Sequence, residues 1–314
     1  MGRYTNPHRN DSKRQLWHFL LWRMGYYDEK RRGELNPDFV FPRFVLDYDP
    51  NKPYVTWINH STFLISLNGL NFLTDPIWND RPSPVNFCGP KRRHKPGVKL
   101  EELPKIDYVL LSHDHYDHLD KPTVKRLVHL FPHILWVVPQ GVKRWFLKEN
   151  IFKVVEHSWW EERLISPHLK ITAVPAQHFS GRCGYDLNKT LWLGWVVEDL
   201  QLNKRFYFVG DTGYNDHDFK NIGRAWGSFD LSLIPIGSYV PRRFMSPVHI
   251  EPKDAVRIHQ EVGSKLSIAM HWKTFRLSDE PMQQPPYDLY QSLQENNIDP
   301  AQFRVMEPGV KLNW

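Results

Sequence analysis

Cysteine is scarce in this chain: two, Cys88 and Cys183, among 314 residues. Two thiols make no disulfide framework and suit a reducing compartment, so a cytoplasmic location is expected. Long apolar runs are missing as well. The run nearest the start, Leu16-Trp17-His18-Phe19-Leu20-Leu21-Trp22, falls far short of the roughly 20 apolar residues that span a bilayer. No small-residue cleavage site follows it, so neither a signal peptide nor a transmembrane helix is expected. Met1-Gly2 has Asn6 where myristoylation needs Ser or Thr. There is no long Lys/Arg tract and no nucleic-acid-binding motif, so no nucleic-acid partner is expected. No short-period repeat or low-complexity linker interrupts the chain.

What the chain does have is aromatic and basic side chains. It carries 13 Trp, 13 Tyr and 18 Phe, and 41% of its residues are hydrophobic, enough for a real core. The net charge of +6 favours anionic partners such as phosphates or acidic lipid. Residues 1–50 read as an N-terminal arm packed on or extending from the core, and 51–314 as one catalytic domain. Ser12 caps a predicted helix running to about Tyr27, with an aromatic face and with Lys13, Arg14, Arg23 and Lys30-Arg31-Arg32 at its flanks. Such a helix packs on its own domain, lies peripherally on an anionic membrane, or makes a homodimer contact.

Residues 54–75 read as three strands, 54–58, 63–67 and 70–75, the last two joined by an Asn68-Gly69 turn. Residues 76–104 lack periodicity and read as a long loop over a site. Helices are expected at 121–130, 141–149, 216–223 and 252–261. Strands are expected at 108–111, 134–138, 152–155, 168–175, 190–199, 204–209, 231–235 and 266–270. Strands alternating with helices mark an α/β fold, here with two sheets face to face.

The chemistry is concentrated in Ser112-His113-Asp114-His115-Tyr116-Asp117-His118-Leu119-Asp120. This stretch follows an apolar strand, so its imidazoles emerge where α/β folds collect their binding sites. His113 and His115 are two apart and point the same way on an extended backbone. If the chain then bends, Asp117 and His118 face a second point nearby. Imidazole and carboxylate without cysteine suit zinc, iron or manganese at an open catalytic centre. Three more residues repeat the placement: His178 follows 171–177, Asp211 follows 206–210 and His271 follows 266–270. Each alone would be an ordinary surface histidine or turn aspartate. Together they end every apolar strand that carries a candidate in a His or Asp, on a common rim.

The His-x-His-x-Asp-His frame, followed in order by His178, Asp211 and His271, resembles the signature of the metallo-β-lactamase superfamily over about residues 54–276. The resemblance implies a four-layer αββα sandwich with two zinc ions at one edge; such ligands also accept iron or manganese. By it, His113, His115 and His178 hold one ion, Asp117, His118 and His271 hold the other, and Asp211 bridges them. Asp75 matches an early strand-end aspartate that orients the ligands. His60, in the turn before it, either faces the site or is a satisfied turn histidine.

Further segments resemble the branch containing N-acyl-phosphatidylethanolamine-hydrolysing phospholipase D. They are Thr56-Trp57-Ile58-Asn59-His60-Ser61-Thr62, Leu73-Thr74-Asp75-Pro76-Ile77, the run from Met245 to Val256, and Ala269-Met270-His271-Trp272-Lys273-Thr274-Phe275. That kinship implies a phosphodiesterase acting on N-acyl-phosphatidylethanolamine or a related phospholipid by attack of a metal-bound hydroxide. Paired ions lower the pKa of bound water from 15.7 to about 7. Asp211 or Asp117 would accept the nucleophile's proton. His249 would protonate the leaving alkoxide or hold a phosphate oxygen. Lys91, Arg92, Arg93, Arg182, Arg242 and Arg243 are candidates for a basic rim, although each alone reads more readily as a solvated surface charge. Ascorbate-6-phosphate lactonases share the ligand set, so a phosphosugar lactonase is the alternative.

Overall fold

The computed structural model describes residues 2–8, 21–22, 24–26, 39–44, 48–85 and 87–314. The helix expected from Ser12 to about Tyr27 lies outside the described residues except at 21–22, which are helical, and 24–26, which form a turn.

The strands are β1 (Tyr54–Asn59), β2 (Thr62–Leu67), β3 (Leu70–Thr74), β4 (Tyr108–Leu110), β5 (Leu135–Pro139), β6 (Val154–His157), β7 (Glu162–Ser166), β8 (Leu169–Val174), β9 (Gly194–Asp199), β10 (Lys204–Phe208), β11 (Leu231–Pro235), β12 (Ser267–Met270), β13 (Phe303–Arg304) and β14 (Lys311–Asn313). The α-helices of four or more described residues are α1 (Lys121–Leu130), α2 (Lys143–Lys148), α3 (Asp218–Trp226), α4 (Arg242–Met245), α5 (Pro252–Glu261) and α6 (Gln284–Glu295), and Leu100–Glu102 forms a single 3-10 turn. The strands form two seven-stranded sheets, ordered β14-β1-β2-β3-β4-β5-β6 and β13-β12-β11-β10-β9-β8-β7.

Side-chain alternation sets the layers. β1 sends Val55 and Trp57 into the core shared by both sheets, and Tyr54 and Ile58 to the opposite face. In β2, Phe63, Ile65 and Leu67 join the shared core, while Leu64 faces outward with Val109 and Trp136. Val124 and Leu127 of α1 and Phe146 of α2 cover that outward face. Ile222 of α3, Val256 of α5 and Leu289 of α6 pack with the second sheet. The result is an αββα sandwich. Strands covered on both faces read as near-continuous apolar runs, which is why most are visible in the sequence.

Local chemistry fixes the joints. Asn68 and Gly69 both adopt positive φ, 51° and 75°, which a two-residue hairpin between β2 and β3 requires. Asp120 caps α1, accepting from Thr123 N at 3.3 Å and Thr123 Oγ1 at 2.5 Å.

The sheet–helix packing also predicts a pH response. His259 of α5 is 5% exposed, with Nδ1 2.8 Å from Ser267 Oγ. Burial pulls its imidazole from 6.5 down to about 4. The unfolded chain takes up this proton near 6.5, the folded chain only near 4. The stability linked to this group is therefore complete above pH 6.5 and is lost as pH falls to about 4. Urea titrations should show it as a loss of up to about 3 kcal/mol across that window. His259→Met should give a shallower profile.

Candidate metal centre

β3, β4 and β5 run parallel, as do β10, β11 and β12. The segments leaving β4, β8, β10 and β12 carry the charged side chains to one edge of the sandwich, where open α/β sheets place their sites. After β4 the chain turns sharply: His118 N and Leu119 N both donate to His115 O, at 3.1 and 2.8 Å. This bend brings Asp117 and His118 back beside His113. His178 is docked by Gln177, whose N–H donates to Thr212 Oγ1 at 2.9 Å and whose carbonyl accepts from Gly213 N at 2.7 Å. Asp211 follows Gly210, whose φ is +69° and where a Cβ would lie 2.8 Å from Ser112 Cβ. Only glycine avoids that clash and lets the two loops approach this closely. His271, at φ +59°, is tied through its N–H to His60 O at 3.0 Å.

All seven candidate ligands meet. His115 Nδ1 lies 2.8 Å from His113 Nε2 and 3.3 Å from His178 Nε2. Asp117 Oδ2 lies 3.3 Å from His118 Nε2 and 3.5 Å from His271 Nε2. Asp211 Oδ2 sits between the two sets, 3.0 Å from His271 Nε2, 3.3 Å from His118 Nε2 and 3.9 Å from His178 Nε2. Nitrogens about 2.0–2.1 Å from a tetrahedral ion are about 3.3 Å apart, so these spacings fit. His249 stands at the margin, with Nδ1 3.8 Å from Asp211 Oδ2 and its ring centroid 5.1 Å from that of His178.

The outer contacts aim the rings. Asp75, fully buried, accepts from Ser112 N at 2.7 Å, Ser112 Oγ at 2.5 Å and His118 Nδ1 at 2.6 Å. Ser112 Oγ thus spends its proton on Asp75 and accepts from His113 Nδ1 at 2.9 Å. His178 Nδ1 donates to Val248 O at 2.9 Å. His113 and His178 are thereby left with an Nε2 lone pair facing inward, and His118 turns its Nε2 the same way. His60 lies within the cluster as well, with Nε2 2.9 Å from Asp117 Oδ2.

Burial, with help from neighbouring imidazoles, holds His113 and His178 well below the usual histidine range, so both are neutral, as ligands must be. Burial alone would raise Asp211, but His271 and His118 outweigh it and hold it well below the carboxylate range. Asp117 behaves likewise, with His118 foremost. Burial opposes a charged His271, yet Asp211 and Asp117 lift it to about 9. The carboxylates thus call for positive charge among them. Among the described residues, His118 Nε2, His271 Nε2 and Asp211 Oδ1 are buried without a hydrogen-bond partner. Orphaned donors and acceptors converging on one space are what a bound cation would satisfy.

The comparisons with known proteins agree with this geometry. A family model described as the β-lactamase superfamily domain matches residues 70–272. The chain belongs to that superfamily. It is 43% identical over 254 residues to N-acyl-phosphatidylethanolamine-hydrolyzing phospholipase D 1 of Caenorhabditis elegans, covering 78% of this chain and 71% of the relative. It is 34% identical over 240 residues to the mitochondrial N-acyl-phosphatidylethanolamine-hydrolyzing phospholipase D of Saccharomyces cerevisiae, covering 75% of this chain and 51% of that relative. Igni18, a metallo hydrolase of Ignicoccus hospitalis, superimposes with a TM-score of 0.63 at 20% identity, over 84% of this chain and 99% of its own. This superfamily member is a metal-dependent hydrolase of the phospholipase D branch.

The expected basic rim looks different in place. Arg92 Nη2 donates to Ile77 O at 3.1 Å and Asn79 O at 2.9 Å. Arg182 Nη1 donates to Asp114 O and Leu119 O, both at 2.8 Å, with its guanidinium 3.9 Å from the Tyr116 ring centroid. Arg242 donates to His249 O at 2.9 Å and Asp254 Oδ2 at 3.1 Å. These arginines brace the loops around the centre. The loop at 76–104 is pinned to the site by Arg93 N donating to Thr274 O, and by His94 Nε2 against Thr274 Oγ1, both at 2.9 Å. Sequence reasoning missed Ser112 and Asn6 as partners of the ligands.

Proposed function

We propose that the chain is a binuclear-zinc phosphodiesterase of the phospholipase D type, hydrolysing N-acyl-phosphatidylethanolamine or a close relative and releasing phosphatidic acid. The observation that carries it is the position of Asp211 Oδ2 between two sets of ligand atoms, in a chain of this branch. His113, His115 and His178 would hold one ion; Asp117, His118 and His271 the other; Asp211 would serve both. When bound, the ions supply a nucleophilic water that ionises near neutral pH and neutralise charge on the phosphate oxygens.

The chain's own groups do the rest. Asp75, Ser112 and Val248 O fix the tautomers described above. Asp211 or Asp117 accepts the proton of the nucleophile. His249, its carbonyl held by Arg242, protonates the leaving alkoxide or holds a phosphate oxygen. Arg93 and Arg276 border a cavity of about 220 Å³, which supplies positive charge for an anionic substrate. A groove of about 600 Å³ is lined by Phe39, Phe41, Phe44, Trp272 and Met306 together with the charged Arg43, Lys273, Arg304 and Glu307. It has room for an acyl chain along its aromatic side chains. Among the described residues no helix is long and apolar enough to cross a membrane. Bilayer access would come through peripheral contact of the 1–50 arm and of the 76–104 loop, where Phe87 is 85% exposed.

The test is metal content together with hydrolysis of N-acyl-phosphatidylethanolamine in mixed micelles. Two ions per chain and chelator-sensitive release of phosphatidic acid are expected. Turnover of a phosphosugar lactone alone would reject the reading in favour of a lactonase. His249→Ala should keep both ions and lower kcat by about 10²–10⁴-fold, the usual range for a lost general acid. An unchanged kcat would remove His249 from the chemistry.

A further inference from the structure

Asn6 precedes His178 by 172 positions, yet its side chain engages both backbone polar groups of that residue. Asn6 Nδ2 donates to His178 O at 2.9 Å, and His178 N donates to Asn6 Oδ1 at 3.1 Å. Asn6 Oδ1 also accepts from Trp192 Nε1 at 3.0 Å. The side chain is buried, with Asn6 only 5% exposed. A carboxamide that pairs with the N–H and C=O of one residue does what a neighbouring strand does. His178 needs this, because β8 ends at Val174, four residues earlier, and the ladder of the sheet does not extend to it.

The residues around Asn6 are docked on the same edge. Tyr4 N donates to Asn188 O at 2.8 Å, and the Tyr4 ring packs against the shared core. His8 Nε2 lies 3.3 Å from Asp218 Oδ1, and its ring stacks on His217 at 4.5 Å between centroids. His178 is therefore held from two sides. Val248 O fixes its ring, and Asn6 fixes its backbone.

We infer that the N-terminal segment Tyr4–His8 is part of the metal centre, and that Asn6 is a positioning residue for His178 which sets the affinity of the ion held with His113 and His115. This rests on the reading of two ions given above. Without Asn6, a buried N–H and a buried C=O lose their partners, and the loop after β8 relaxes to satisfy them elsewhere. His178 Nε2 then leaves its place beside His115 Nδ1. The second set, Asp117, His118 and His271, makes no hydrogen bond to Asn6 and keeps its geometry.

The experiment is a zinc titration of full-length wild type and Asn6→Leu against a chromophoric chelator, with the cobalt absorption spectrum read in parallel. Leucine keeps the branched shape and the number of heavy atoms and removes the hydrogen bonds. Loss of a partner that orients a ligand usually costs 10–100-fold in metal affinity, so one ion should weaken by about that factor while the other stays within about twofold. The cobalt bands should change for one site only. Wild-type affinity for both ions in Asn6→Leu overturns the inference. Equal weakening of both ions, with a lower melting temperature of the metal-free chain, overturns it too, since that is the mark of a merely structural contact. A wild type that binds no ion pair would instead refute the reading of the centre itself, so the two failures are distinct. If Asn6→Leu does not fold, hydrogen exchange on the wild type decides. Sites that stabilise one another do so reciprocally, so zinc should slow exchange of the Tyr4 amide by about tenfold or more. Equal exchange with and without zinc overturns the proposal.

Discussion

Asp211→Asn is expected to lower phosphodiester hydrolysis by about a thousandfold or more and to leave the chain with fewer than two ions. Asparagine keeps the shape and one oxygen, so the fold around β10 should survive. What goes is the charge. Asp211 Oδ2 is the atom within 3.0–3.9 Å of His271, His118 and His178 together, and so the one that joins both ligand sets. It is also the foremost group lifting His271 against the penalty of burial. An amide does neither. Metal analysis by mass spectrometry and a lipid assay on the same preparation check the result. Two tightly held ions and a wild-type rate in Asp211→Asn would show that the pair does not depend on a shared carboxylate.

The ligand-bearing strands were legible because burial on two faces writes a continuous apolar run, and each run stopped at a His or Asp. The Asn68-Gly69 hairpin was legible because its chemistry is local. What stayed hidden depends on partners far away in sequence. β14 is three residues, Lys311–Asn313, whose pairing of Leu312 with Val55 no local pattern announces. α6 opens with Pro285 and Pro286, and no helix was expected there, although proline suits the first turn of a helix. β7 has a largely exposed face, so Glu162–Ser166 shows no apolar run. The arginines were ambiguous for a related reason. A guanidinium near a site could bind substrate or brace a carbonyl, and only the fold shows that Arg92 and Arg182 brace. Asn6 carries no motif at all, and its role exists only because the chain returns it to His178.

Asp75→Ala should be the most destabilising of the substitutions considered, by about 3–5 kcal/mol in the metal-free chain, because it breaks a fully buried charged contact from one side. Three donors lose their acceptor at once: Ser112 N, Ser112 Oγ and His118 Nδ1. Burial raises the Asp75 carboxyl, while Asp211 and the other carboxylates hold the His118 imidazole well above its usual range. In the metal-free chain the three carboxylates around that ring outweigh its burial and keep it doubly protonated; an ion held at Nε2 would displace that proton, and the one that remains sits on Nδ1 against Asp75. Stability alone would not show that Asp75 aims a ligand. Asp75→Asn separates the two roles. Its amide oxygen can still accept from Ser112 N, but its Nδ2 would take the place of the oxygen that faces Ser112 Oγ and His118 Nδ1, and would demand a lone pair on that ring nitrogen. The proton of His118 would then move to Nε2, which points at the centre. Urea unfolding of Asp75→Asn should therefore show a smaller loss than Asp75→Ala. Its affinity for the ion of the Asp117, His118 and His271 set should still fall by about 10–100-fold. Wild-type affinity in Asp75→Asn would mean that the tautomer of His118 is fixed by something other than this carboxylate.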